Sequence, residues 1–141
     1  MALVLDKHDL LLLMRRAHEP GLGKLGLPGG IIEPMQTAEA ACSRETEEET
    51  GVIVAATAWT YLGSWNNRYL YQDYVWPTLD IGFAARVDDF TEARAVDGEA
   101  SEIVAVPLHE VVLEELAFPT HAEAVKALRQ IKAKHAGCKH G

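Results

Sequence analysis

Arg44-Glu45-Thr46-Glu47-Glu48-Glu49-Thr50-Gly51 decides the reading of this chain. Glu45, Glu48 and Glu49 are related as i, i+3 and i+4, so at roughly 100° per residue they share one face of a helix. Glu47 points the other way, to solvent. Like charges at these spacings each cost a few tenths of a kcal/mol, so three carboxylates on one face oppose the helix that carries them unless a cation sits there. A hard, oxygen-seeking ion, Mg²⁺ or Mn²⁺, suits such a face and also bridges to phosphates. The alternative for an isolated glutamate run is a solvated acidic surface.

The helix is bounded on both sides. Ala38 to Thr50 are mostly good helix formers, Thr37 supplies an N-cap, and Gly51 stands at C′, where a left-handed residue ends a helix. Upstream, the apolar runs Ala2 to Leu5 and Leu10 to Met14 flank Asp6-Lys7-His8-Asp9, which predicts a hairpin. Arg15 to Lys24 has loop composition and leads into Leu25-Gly26-Leu27-Pro28-Gly29-Gly30. Downstream, Val52 to Ala58, Tyr61 to Ser64, Leu79 to Arg86 and Glu102 to Val106 read as strands, with a long acidic surface loop from Asp88 to Ser101. Thr120 and Glu123 form a capping-box pair for a last helix in which Ala124, Leu128 and Ile131 recur to about His135, with 136–141 frayed. This order predicts an α/β (α+β) sandwich, a mixed β-sheet with helices on its faces.

The composition is that of an ordinary globular chain. Its 141 residues predict one domain, 1–141, with 48% apolar and 24% charged residues. A formal net charge of −8 with 13 scattered Lys and Arg argues against a nucleic-acid backbone as main partner. Bound phosphate would need another source of neutralisation. The two cysteines, Cys42 and Cys138, make neither a disulfide framework nor zinc spacing, and a reducing cytoplasm fits them best. No apolar run has the length of a signal peptide or membrane span. His135, Cys138 and His140 at the tail are poor chelators if the terminus is loose.

Gly30, Arg44, Glu45, Glu48, Glu49, Gly51 and Val52 together resemble the box of the Nudix hydrolase (MutT-like) family: Gly, five residues, Glu, seven residues, Arg-Glu, an aliphatic, any residue, Glu-Glu, any residue, Gly, an aliphatic. The pattern spans 23 residues, with Leu27-Pro28-Gly29-Gly30 leading in as in family members. The resemblance implies a Nudix-type α/β/α sandwich whose loop-helix-loop motif is catalytic. It implies metal ligation by Glu45, Glu48 and Glu49 with the Gly30 carbonyl as a further ligand, catalytic roles for Glu48 and Glu49, and Arg44 orienting a carboxylate. Two positions depart from the pattern. Gln36 stands where the family has its first Glu, and an amide neither carries the charge nor accepts a proton as a base. Thr46 replaces an aliphatic that packs under the helix, a change that one hydrogen bond would absorb.

The implied activity is metal-dependent hydrolysis of a pyrophosphate bond, with the general base drawn from a box glutamate or a later loop. Glu99 is the leading loop candidate and Glu102 the second, against a plain acidic loop reading for both. Seven of the ten aromatics fall between positions 59 and 76, and of these Trp65 and Tyr69, with Arg68 between them, are candidates for holding a nucleotide. A core edge or a homodimer interface is an equal reading of the cluster. Arg16 to Gly21 and Trp76 to Asp80 are similar to segments of the ADP-ribose and NADH pyrophosphatase-like members. They favour a nucleoside diphosphate linked to another moiety over a nucleoside triphosphate, the alternatives being triphosphate hydrolysis or a non-catalytic nucleotide-binding module.

Overall fold

The computed structural model describes residues 1–138, with side chains to 135; the expected tail from 139 on, including His140, lies outside the described residues, as does the Cys138 side chain. Six strands form one mixed sheet: β1 (Ala2–Leu5), β2 (Leu10–Arg16), β3 (Leu25–Gly26), β4 (Thr60–Tyr71), β5 (Tyr74–Arg86) and β6 (Ala100–Pro107). Their order is β3-β2-β1-β5-β4, with β6 on the other side of β2, and β1 runs parallel to β5 while the remaining pairs are antiparallel.

Strand β1 is buried throughout, and its period of two sends alternate residues to opposite faces. Leu3 and Leu5 enter a core with Leu11, Leu13, Ala124, Val125 and Leu128, under helix α2 (Pro119–Cys138). Ala2 and Val4 enter a second core with Cys42, Val52, Val54, Trp59 and Phe83, under helix α1 (Ala38–Thr50). The result is the expected α/β/α sandwich.

Helix α1 has the predicted ends. Thr37 accepts from the Ala40 amide at 3.1 Å, and Gly51, at φ 75°, returns its N–H to the Glu47 carbonyl. The buried Thr46 donates to the Cys42 carbonyl at 2.7 Å, so its hydroxyl is satisfied inside the helix.

Three expectations are corrected. Val52 to Ala58 is not a strand: Val52 and Val54 pack inward while Ile53 stays exposed, so the alternation is met by packing alone, and a 3₁₀ turn follows at Ala56–Ala58. The segments expected at 61–64 and 79–86 belong to one long hairpin, turned by Gln72 and Asp73, both at positive φ as a two-residue primed turn requires. Pro77 is tolerated there because β1 flanks β5 only from Phe83 onward, leaving that edge without a ladder to interrupt. Lastly, Thr120 does not cap α2. The helix begins at Pro119, where a missing N–H costs nothing, and the Thr120 hydroxyl donates to Asp80 at 2.6 Å while Glu123 pairs with Lys126.

The imidazole of His121 sits in the α2 core and accepts the Leu27 amide at 3.2 Å, fixing the backbone that leads to Gly29 and Gly30. Burial, then the positive N-terminus and Arg16, lowers its pKa to about 3, so the fold holds it neutral. The unfolded chain binds a proton here near 6.5 and the folded one does not, so stability falls as pH drops from about 6.5 towards 3. At about 1.4 kcal/mol per tenfold, the loss is bounded at roughly 5 kcal/mol. Chemical unfolding at several pH values should show this slope, and His121→Gln, destabilised at neutral pH, should flatten it.

Candidate active site

The box helix aims its carboxylates at the turn of chain before it. Glu49 is buried, and its Oε2 accepts from the Gly29 amide at 3.2 Å. The carboxylate of Glu45 lies over Gly30, where an added Cβ would come within 2.5 Å of it. Gly30 therefore makes a hollow that only a residue without a side chain leaves open to this carboxylate. Arg44 holds the outer rim: Nη1 lies 2.9 Å from Glu45 Oε1 and 3.2 Å from Glu48 Oε2, and Nη2 donates to the Ile31 carbonyl and to Gln36 Oε1 at 3.3 Å each. Glu48 is half exposed on this rim, and Glu47 faces solvent.

A third segment completes the group. Gly98, at φ 81°, turns the loop before β6 so that Asp97 and Glu99 face Glu49, and one oxygen from each of the three carboxylates lies within 4.8 Å of the others. Asp97 Oδ1 accepts the Glu99 amide at 3.1 Å. The loop is moored to the end of β2, since the Ala17 amide donates to the Glu99 carbonyl at 2.9 Å and His18 Nε2 meets the Gly98 carbonyl at 3.2 Å.

Of the two loop candidates, the structure brings Glu99 to the box. Glu102 is instead on β6, paired at 2.6 Å with Arg15. Asp97 was not singled out from the sequence; the signal was its i, i+2 relation to Glu99 across a glycine.

The aromatic and basic candidates separate. Strand alternation puts Trp65 and Tyr69 on the α2 side of the hairpin and Arg68 on the other. The Trp65 ring lies over Gly63 and Gly82 and packs against the core, which is the core-edge reading for this residue. Tyr69 stacks towards Phe118, with ring centroids 6.4 Å apart, and Arg16 lies over the Phe118 ring at 5.0 Å, one residue before the Ala17 that moors Glu99. Arg68 lines a shallow cleft with Asn66, Asn67, Thr78 and Pro119.

Burial, followed by the neighbouring Glu45 carboxyl, raises the Glu49 pKa far above the carboxylate range, against the smaller opposing effect of the Gly29 amide. Glu49, Asp97 and Glu99 bring carboxylate oxygens together, with Glu45 beside Glu49 and over Gly30, and this set of hard oxygen donors fits Mg²⁺ or Mn²⁺.

The chain's residues 1–128 match the family model described as NUDIX domain. It is 42% identical over 50 residues to an ADP-ribose pyrophosphatase of Methanocaldococcus jannaschii, a match covering 36% of this chain and 30% of that protein. The fold is similar to the NUDIX domain of Shewanella oneidensis NrtR complexed with ADP ribose, at TM-score 0.73 and 24% identity over 92% of this chain and 83% of that one. It is also similar to a bifunctional NMN adenylyltransferase/ADP ribose pyrophosphatase of Francisella tularensis complexed with AMP and Mn ion, at TM-score 0.69 and 22% identity over 92% of this chain and 39% of that one. This chain belongs to the NUDIX family. The curated relative is matched over less than a third of its length.

The raised pKa of Glu49 fixes a sign for the metal-free protein. The folded state retains a proton that the unfolded state releases near 4.5, so stability is fully present below that value and is lost as pH rises from there to about 9. Thermal melts in chelator should fall as pH rises from 6 to about 8.5, and excess Mg²⁺ should restore more at the higher pH. Glu49→Gln should remove both the fall and the restoration.

Among the described residues Arg44 Nε is buried without a partner, and Gln36 offers it no second acceptor, because only one end of an amide accepts. Gln36→Glu supplies that acceptor, so the variant should gain roughly 1 kcal/mol in stability by denaturant unfolding, with turnover unchanged or modestly raised. A large loss of turnover would show that the neutral amide itself positions substrate.

Proposed function

We propose that this chain is a Nudix pyrophosphohydrolase that cleaves the pyrophosphate bond of a nucleoside diphosphate linked to another moiety, ADP-ribose-like in its chemistry. The observation that carries the reading is the convergence of Asp97 and Glu99 on Glu49, which joins a loop carboxylate to the box. An acidic helix serving only solubility would not bury Glu49 against Glu45 and then draw two more carboxylates onto it. The ADP-ribose pyrophosphatase relative and the ADP-ribose-bound neighbour support the substrate class.

Glu45, Glu49, Asp97 and Glu99 would hold a divalent cation, Mg²⁺ or Mn²⁺, with Glu48 and the Gly30 carbonyl at its margin. When bound, the cation neutralises the pyrophosphate and polarises its phosphoryl oxygens. The protein's own groups do the rest. Arg44 keeps Glu45 and Glu48 in fixed rotamers through its forked contacts. Glu99, exposed at the mouth of the site, accepts the proton of the attacking water, as a general base within reach of solvent can. Asp97 braces it through the Glu99 amide. Tyr69 is assigned to the nucleobase, because Phe118 and Arg16 connect it to the chain that moors Glu99. Arg68, on the opposite face, is assigned to the outer end of a long substrate.

The test is a panel of ADP-ribose, NADH, diadenosine polyphosphates and nucleoside triphosphates, incubated with Mg²⁺ or Mn²⁺ and assayed for mononucleotide release. ADP-ribose should be cleaved with the highest kcat/KM. Preferred cleavage of triphosphates would move the protein to another substrate class, and no release from any member would leave a nucleotide-binding module. In the active assay, Glu49→Gln and Glu48→Gln should each retain the fold and lower turnover, the buried residue more. Glu99→Gln should lower kcat by roughly 10²- to 10⁴-fold with little change in KM, whereas Glu102→Gln should have a small effect on both.

A further inference from the structure

Strand β1 flanks β5 only at Phe83 to Arg86, and Trp65 is the residue of β4 nearest the turn that packs on the α2 core, so the hairpin leaves its support at about Trp65 and its partner Asp80. Asp80 shares the α2 face with Trp65, Asn67 and Tyr69. Its Oδ2 accepts twice, from the Thr120 hydroxyl at 2.6 Å and from Asn67 Nδ2 at 3.0 Å, and its Oδ1 meets the Thr78 hydroxyl at 3.5 Å. Asn67, Thr78 and Asp80 belong to the hairpin, whereas the buried Thr120 belongs to α2. The carboxylate therefore joins two elements. The same stretch of chain at the start of α2 is tied to the acidic centre. The Ala117 amide donates to the Leu25 carbonyl at 2.8 Å, and His121 accepts the Leu27 amide, two residues before the Gly29 that donates to Glu49. Residues 117–121 thus stand between the hairpin that carries Tyr69 and the backbone on which Glu45 and Glu49 rest.

We propose that Asp80 is a positioning residue: its bond to Thr120 sets the distance from Tyr69 to the acidic centre, and so decides how well a substrate that carries a nucleobase places its pyrophosphate there. This rests on the assignment of Tyr69 to the base. Two contacts reach from the α2 face of the hairpin to the start of α2. The rings of Tyr69 and Phe118, 6.4 Å apart and tilted by 43°, make an apolar contact with no directional bond to fix its register. A hydroxyl on a carboxylate is both directional and strong, so the Thr120–Asp80 bond does that work. Without it the hairpin can shift about its supported end, and a base held by Tyr69 would draw the pyrophosphate out of register with Glu49 and Glu99. Errors of about an ångström are enough to slow a reaction that depends on alignment. A substrate without a base makes no use of Tyr69 and is indifferent to the latch.

The test compares kcat/KM for ADP-ribose with that for its adenine-free counterpart, in which the pyrophosphate joins two riboses, both with Mg²⁺. The unmodified chain should prefer ADP-ribose. In Asp80→Ala that preference should fall by about tenfold, the worth of one hydrogen bond to a charged group, while the adenine-free compound is cleaved as before. Thr120→Val is nearly isosteric, breaks the bond from the other side and should behave in the same way. Asp80→Asn keeps an acceptor oxygen and should restore the preference. A residue that merely stabilised the fold would lower both substrates together. Equal losses with the two compounds in either breaking variant therefore overturn the proposal, as does a preference for ADP-ribose that both variants retain. An unmodified chain that cleaves ADP-ribose no better than its counterpart overturns the assignment of Tyr69 as well, whereas a preference kept by the variants removes the role of Asp80 alone.

Discussion

The buried carboxylate of Glu49 is the constraint around which the rest is arranged. A carboxylate out of water, hydrogen-bonded to the Gly29 amide and beside the carboxyl of Glu45, is costly in its charged form. Helix α1 must nevertheless present it there, because Thr46 and Thr50 on the adjoining face are fully buried and fix the helix rotation. Their hydroxyls bond back to carbonyls four residues earlier, so they enter the core without leaving polar atoms unsatisfied. The rotation that seats these threonines is therefore the one that turns Glu45 and Glu49 towards Gly29 and Gly30. Stability and the proposed function conflict at one residue, and the proposed cation would reconcile them.

The sequence was most legible where short-range rules govern. The ends of α1 follow from Thr37 and Gly51, and the two-sided burial of β1 and β2 follows from runs of consecutive aliphatics. The hairpin was not legible, because Asn66, Asn67, Arg68 and Pro77 interrupt the alternation and the turn Gln72-Asp73 lacks the glycine that usually marks it. Its residues are strand by pairing with each other and not by facing a core. Val52 to Ala58 erred in the opposite direction, showing alternation with no strand beside it.

At the site, the helix carboxylates could be read from spacing, but their loop partner depended on the path of the chain. Glu99 and Glu102 look equivalent in sequence. The ladder with β2 separates them by placing Glu102 opposite Arg15, while the left-handed turn at Gly98 sends Glu99 back to the helix. The role of His121 was equally hidden, since its partner Leu27 is 94 residues away.

That distance has a consequence for how the molecule comes into being. The acidic centre draws on residues 29–30, 45–49 and 97–99, and the last of these are held only after β6 has joined β2 and the Ala17–Glu99 bond has closed. Contacts of such sequence separation are closed late and slowly. A chain emerging from synthesis carries the complete glutamate helix for some fifty residues before the loop that finishes the centre exists. During that interval a cation held by the proposed ligands would find only part of its set, so it would act as a lock on the finished fold and give little assistance to its assembly.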